Sequence, residues 1–223
     1  MYNTNKIKSI LFDMDGTVLE SEGLFARAEH ALLKDYGVEI DIAELNDFRG
    51  MSEGEFYPSF ISRYRLNKDT ETLKQQLKSM LFSMFRTDLC YVEGFCNFYE
   101  QQVRLSNRKT ALVTNTTIDI VREVRACIDI DRYFQHIITS SDVSAPKPSP
   151  IPYQQAMSML HSSPQEAMII EDSSSGLRSA VDSGAMVIGL ATTLSASQIH
   201  QIHDSIIVLD NYSEISSFLD SNK

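Results

Sequence analysis

Two aspartates, Asp13 and Asp15, stand one residue apart where the apolar run Ile10-Leu11-Phe12 gives way to Gly16-Thr17. A strand that ends in a turn presents both carboxylates at one place, and carboxylates held that close repel unless something positive joins them. A divalent metal is such a group, with phosphate as the substrate group it helps to hold. A carboxylate can attack phosphorus and form an aspartyl-phosphate, splitting one hard step into two. Mg²⁺ takes oxygen ligands, offsets the repulsion between nucleophile and phosphate, and stabilises developing charge.

The elements that must position such a pair are legible as a change of period along the chain. Apolar runs at residues 8–12, 110–114, 136–139, 167–171, 186–190 and 206–209 predict strands. Helical patterns at 118–127, 152–160 and 176–183 fall between them. This alternation predicts an α/β fold with a Rossmann-like parallel sheet, the first strand central. The runs are continuous rather than alternating, as befits strands covered on both faces.

Ligands bind beyond the carboxyl ends of such strands. The first end delivers Asp13 and Asp15, the second Thr114 and Asn115, and the 167–171 run Glu171 and Asp172; the loop after 136–139 leads to Lys147. Carboxylates, a hydroxyl, an amide and an ammonium therefore converge on one rim. Gly16 permits the tight turn that backbone donation to a phosphate needs.

Residues 20–88 read differently. Phe25, Ala28, Leu32 and Tyr36 form one helical stripe, Phe56, Phe60 and Tyr64 a second, and Leu73, Leu77, Leu81 and Phe85 a third. Ser52 with Glu55 three residues on has the form of a capping box. An α-helical cap domain over 20–88, inserted into a core of 1–19 and 89–223, is the expected organisation.

The chain has 223 residues, is 43% apolar and carries a formal charge of −10, which disfavours nucleic acid and anionic membrane as partners. Cys90, Cys96 and Cys127 have neither disulfide-framework nor zinc spacing and are expected to be buried free thiols. His200 and His203 read as a solvated helix face rather than a metal pair. No signal-peptide h-region and no bilayer-length apolar run is present, so a cytoplasmic location is the expectation. Oligomeric state is not readable from the sequence, and a monomer is the default.

Asp13-Met14-Asp15-Gly16-Thr17-Val18 resembles motif I of the haloacid dehalogenase-like phosphatases. Thr114 looks like motif II, Lys147 in Ala145-Pro146-Lys147-Pro148 like motif III, and Glu171-Asp172 like motif IV. The run from Gly176 to Gly189 is similar to the branch that includes β-phosphoglucomutase and small sugar phosphatases. The resemblance implies a Mg²⁺-dependent phosphatase of a small phosphorylated metabolite, a sugar phosphate in the first place. It casts Asp13 as nucleophile and metal ligand, and Asp15 as general acid and base with its carbonyl on the metal. Thr114 would bind phosphate with help from Asn115, and Lys147 would neutralise charge between phosphate and Asp13. Asp172 would ligate the metal, and Glu171 would do so directly or through water. Arg49, in Arg49-Gly50-Met51-Ser52, resembles the cap's specificity loop and could fork to a carboxylate or second phosphate. Dehalogenases of the superfamily lack the second aspartate, so Asp15 points to phosphate-ester chemistry. Mutases of the β-phosphoglucomutase type carry a cap histidine twelve residues after the nucleophile, where this chain has Phe25, which favours hydrolysis. The alternatives are a phosphosugar mutase and a non-catalytic metabolite-binding regulator on the same fold.

Overall fold

A computed structural model describes residues 3–48 and 51–223, with Glu22 described by its backbone alone. Arg49, expected to read the substrate, lies outside the described residues. After a 3-10 turn at Thr4–Lys6 come β1 (Ser9–Phe12), α1 (Glu22–Asp35), α2 (Glu53–Tyr64) and α3 (Thr70–Asp88). Next come α4 (Phe95–Phe98), continued by a π-helical stretch Tyr99–Arg104, then β2 (Lys109–Val113) and α5 (Ile118–Cys127). The remaining elements are β3 (His136–Ile138), α6 (Ile151–Met159), β4 (Ala167–Glu171), α7 (Ser174–Asp182), β5 (Met186–Leu190), α8 (Ala196–Ile202), β6 (Ile207–Leu209) and α9 (Tyr212–Ser221).

All six strands pair in parallel in the order β3-β2-β1-β4-β5-β6. β1 is thus interior, with Ser9 opposite Lys109 on one side and Ala167 on the other. Side chains along a strand alternate between faces. Ile10 and Phe12 enter a core with α4, α5 and α9, while Leu11 enters a second core with α6, α7 and α8. The four residues of β1 are all buried, which explains the unbroken apolar run Ile10-Leu11-Phe12 after Ser9.

The first core continues from Phe12 and Ile170 into Leu24, Leu32, Leu77 and Leu81 of the helices between β1 and β2. Those four sit on the predicted stripes or beside them, facing inward at helical spacing. α2 begins with the capping box: the Ser52 N–H (3.1 Å) and hydroxyl (2.8 Å) both donate to Glu55 Oε2. Two ion pairs join α3 to α5, Lys78–Asp119 at 3.7 Å and Arg86–Glu123 at 2.8 Å. No helix among the described residues is long and apolar enough to cross a membrane.

The thiols depart from expectation. All three are free, but Cys90 and Cys96 are exposed and Cys127 is half-buried. In α4, Phe95 and Phe98 take the inward positions and pack around Phe12, so Cys96 is turned outward, where its Sγ accepts from Tyr133 Oη at 3.4 Å.

Candidate active site

The sheet brings the strand ends onto one rim. Asp13 N–H donates to Ile170 O (3.0 Å) and Thr114 N–H to Ile138 O (2.9 Å), so the parallel ladder runs one residue beyond β1 and β2 before the chains diverge. Asp13, Asp172, Glu171, Lys147 and Thr114 are all buried there.

Lys147 is the hub. Its ammonium has three protons, and they go to Asp13 Oδ1 (2.5 Å), Val113 O (2.7 Å) and Glu171 Oε1 (2.7 Å). The loop that carries it is clamped by Asn115, whose amide oxygen accepts from Lys147 N–H (2.9 Å) and whose amide nitrogen donates to Lys147 O (3.0 Å). Burial works against the ammonium, but Asp13 and Glu171 outweigh it and Lys147 stays charged, its pKa raised. Burial pushes the Asp13 carboxyl well above its ordinary range; Glu171 adds to the push and Lys147 opposes it. A second cation at Asp13 would relieve the excess of negative charge.

Asp15 faces hydroxyls instead. Ser21 Oγ donates to Oδ1 (2.5 Å), and Thr116 Oγ1 (2.8 Å) and Thr114 Oγ1 (3.4 Å) donate to Oδ2. Burial raises its pKa as well, with the Ser21 and Thr116 bonds pulling the other way. Two carboxylates two positions apart thus occupy different surroundings, one beside a lysine and one among hydroxyls. That separation is what nucleophile and proton carrier require.

Asp172 is fixed from behind. Thr17 Oγ1 donates to its Oδ1 at 3.0 Å, and Thr192 (3.4 Å) and Thr193 donate to Oδ2. Gly16 makes this approach possible: at φ +77° it turns the chain, and a Cβ there would lie 2.1 Å from Asp172 Oδ2. The Gly16 N–H is bonded to Leu19 O (2.9 Å), so the residue serves by lacking a side chain. The tight turn expected at Gly16 is present. Ser21, Thr116, Thr192, Thr193 and Tyr153 were not singled out in the sequence. Thr192 and Thr193 follow β5 and would have been found by asking what that strand delivers at its end.

Carboxylate oxygens of Asp13, Glu171 and Asp172 all lie within 4.8 Å of one another. The donors are hard oxygens, with no histidine or thiol among them, and suit an ion such as Mg²⁺. A cavity of about 130 Å³ reaches this cluster at Asp13. Asp13, Asp15, Thr114 and Lys147 line one side of it, and Phe25, Phe48, Tyr57, Leu77 and Leu81 the other. Glu29, Glu53 and Lys78 supply charge at that second wall.

Gly176 in α7 is tightly constrained, since a Cβ there would stand 1.6 Å from Glu171 Oε1. Gly176→Ala is expected to destabilise the protein by about 1–3 kcal/mol. At this chain length that corresponds to a melting point lower by roughly 3–10 °C. A thermal melt reads the effect, and an unchanged midpoint would mean that α7 has more room than its backbone shows.

The architecture is a parallel sheet with helices inserted after its first strand, and the carboxylates gather at its strand ends. The model of the family described as "Haloacid dehalogenase-like hydrolase" matches residues 10–190, and the chain belongs to that family. It is 25% identical to the "Phosphorylated carbohydrates phosphatase" of Thermotoga maritima, over 80% of this chain and 82% of that one. It is 26% identical to the "Pyrophosphatase PpaX" of Oceanobacillus iheyensis, over 92% of this chain and 93% of that one. The solved HAD hydrolase, family IA, variant 3, of Entamoeba histolytica shares the fold with a TM-score of 0.82 at 20% identity, covering 96% of this chain and 98% of that one. The family description makes the chain a hydrolase of the haloacid dehalogenase-like kind.

Proposed function

We propose that the protein hydrolyses the phosphomonoester of a small metabolite through a phosphorylated Asp13. One observation carries the reading: Asp13 and Asp15 lie together on the cavity floor, Asp13 against the Lys147 ammonium and Asp15 among three hydroxyls. Asp13 attacks phosphorus, and the bond to the ester oxygen breaks. Asp15 gives that oxygen its proton, so a neutral alcohol leaves. Water then attacks the phosphorus of the aspartyl-phosphate and passes its proton to Asp15. The bond to Asp13 breaks, and inorganic phosphate departs. Asp13, Asp172 and the Asp15 carbonyl would hold Mg²⁺, which supplies Lewis-acid polarisation of the phosphoryl oxygens. Lys147 keeps the Asp13 end of the site compensated throughout.

Residues 20–88 would act as a cap: their side chains form the far wall of the cavity, and a closed wall excludes water from the phosphorylated intermediate. Phe25 lines that wall with its ring edge-on to Phe85 at 6.1 Å. It offers no titratable group where a mutase needs one, which favours hydrolysis over transfer within a sugar. Carbohydrate phosphates lead as substrates because of the activity for which the Thermotoga relative is named.

The test is phosphate release from sugar phosphates, nucleotides, phosphonates and pyrophosphate with Mg²⁺. Turnover of at least one monoester is expected, falling about a hundredfold with chelator and returning when Mg²⁺ is restored. No release from any of them would end the reading. Isomerised sugar phosphate without free phosphate would replace it with a mutase.

A further inference from the structure

Glu171 stands beside the aspartates and, by motif, among the metal ligands, but its own bonds assign it elsewhere. An ionised carboxylate offers about four lone-pair sites. The Glu171 carboxylate already meets five donors. Lys147 Nζ (2.7 Å) and Tyr153 Oη (3.1 Å) donate to Oε1. Asp172 N–H (2.9 Å), Ser173 N–H (2.9 Å) and Ser173 Oγ (3.1 Å) donate to Oε2. The side chain cannot swing away, because the Gly176 backbone of α7 is packed against Oε1.

Tyr153 completes the arrangement. It lies on α6, fully buried, and touches both members of the pair: its hydroxyl bonds Glu171, and the Lys147 ammonium sits over its ring, 4.8 Å from the centroid. We propose that Glu171 and Tyr153 are positioning residues for Lys147 and that Glu171 is not a ligand of the metal. Glu171 fixes the ammonium against Asp13, and Tyr153 holds both Glu171 and the ammonium. Asp13 and Asp172 are left as the side-chain metal ligands. This rests on the phosphatase reading for its consequence in turnover, while its central claim is read from metal binding alone.

The experiment measures binding of Mg²⁺ alone by calorimetry in the wild type, Glu171→Gln, Tyr153→Phe and Asp172→Asn. Turnover of the best monoester from the screen is measured on the same proteins. Asp172→Asn is expected to weaken Mg²⁺ by at least fiftyfold. Glu171→Gln should weaken it by less than about fivefold while kcat falls tenfold or more, and Tyr153→Phe, which keeps the ring and its packing, should lower kcat by a few fold with Mg²⁺ affinity unchanged. Because the residues act as a unit, Glu171→Gln should cost nothing further in a Lys147→Met background. Glu171→Gln weakening Mg²⁺ as much as Asp172→Asn overturns the proposal. So does a full multiplicative loss in the double variant, and so does a Tyr153→Phe protein with wild-type kcat. Absence of any phosphatase activity would fell the functional reading by itself, and the Mg²⁺ comparison would still decide the role of Glu171.

Discussion

Asp13→Asn is expected to lower kcat by about 10⁴-fold or more, a barrier increase of at least roughly 5 kcal/mol. The amide has no anionic oxygen to offer phosphorus, and neither Asp15 nor Asp172 is placed to substitute: hydroxyl donors hold both side chains. The fold should survive. Asparagine has nearly the same shape, and Lys147 keeps Val113 O and Glu171 as partners. The variant loses the Lys147 ion pair but also the repulsion between Asp13 and Glu171, two effects of opposite sign on the same buried carboxyl. Thermal melts within a few degrees of wild type, together with no steady-state phosphate release, are the anticipated pair of results. Substantial Mg²⁺-dependent hydrolysis by this variant would remove Asp13 from the nucleophile's role.

The second large effect belongs to Asp15. Asp15→Asn keeps one acceptor oxygen, and a hydroxyl facing the new NH2 can rotate to accept from it, but the amide cannot carry a proton, so the loss is mainly chemical. Turnover of an alkyl phosphate should fall about 10³-fold, within the usual range for general acid–base help. An ester with an acidic leaving group, such as 4-nitrophenyl phosphate, should lose less in the first step because its phenolate can leave without a proton. The second step still lacks its base, so phosphorylated protein should accumulate and be visible by intact mass after an acid quench. Equal losses for both esters, with no phosphoprotein, would show that Asp15 is not the proton carrier.

Much of this site was readable because parallel sheets put function at strand ends. Asp13, Thr114 and Asp172 each follow a run whose apolar continuity marks a strand buried on both faces. What escaped was the set of residues that hold those groups. Tyr153 reads in the sequence as one more apolar position of a helix, and only packing brings its hydroxyl to Glu171. Ser21 and Thr116 are small polar residues in turns, where such types are common for unrelated reasons. The use of Asn115 as a clamp on Lys147 depends on a loop path that no local pattern encodes. Cys96 was misjudged because the rule that thiols are buried says nothing about which side of α4 faces the core.

The interior place of β1 has a consequence for the chain as it is made. β1 emerges first among the strands, yet its two neighbours begin only at Lys109 and Ala167. At ordinary rates of translation the wait is on the order of ten seconds. During that time a strand apolar but for Ser9 has both edges open, followed by two acidic residues that have neither Lys147 nor the threonines to face. Acidic residues that flank an apolar strand are the type of residue that guards such a segment against pairing with the wrong partner.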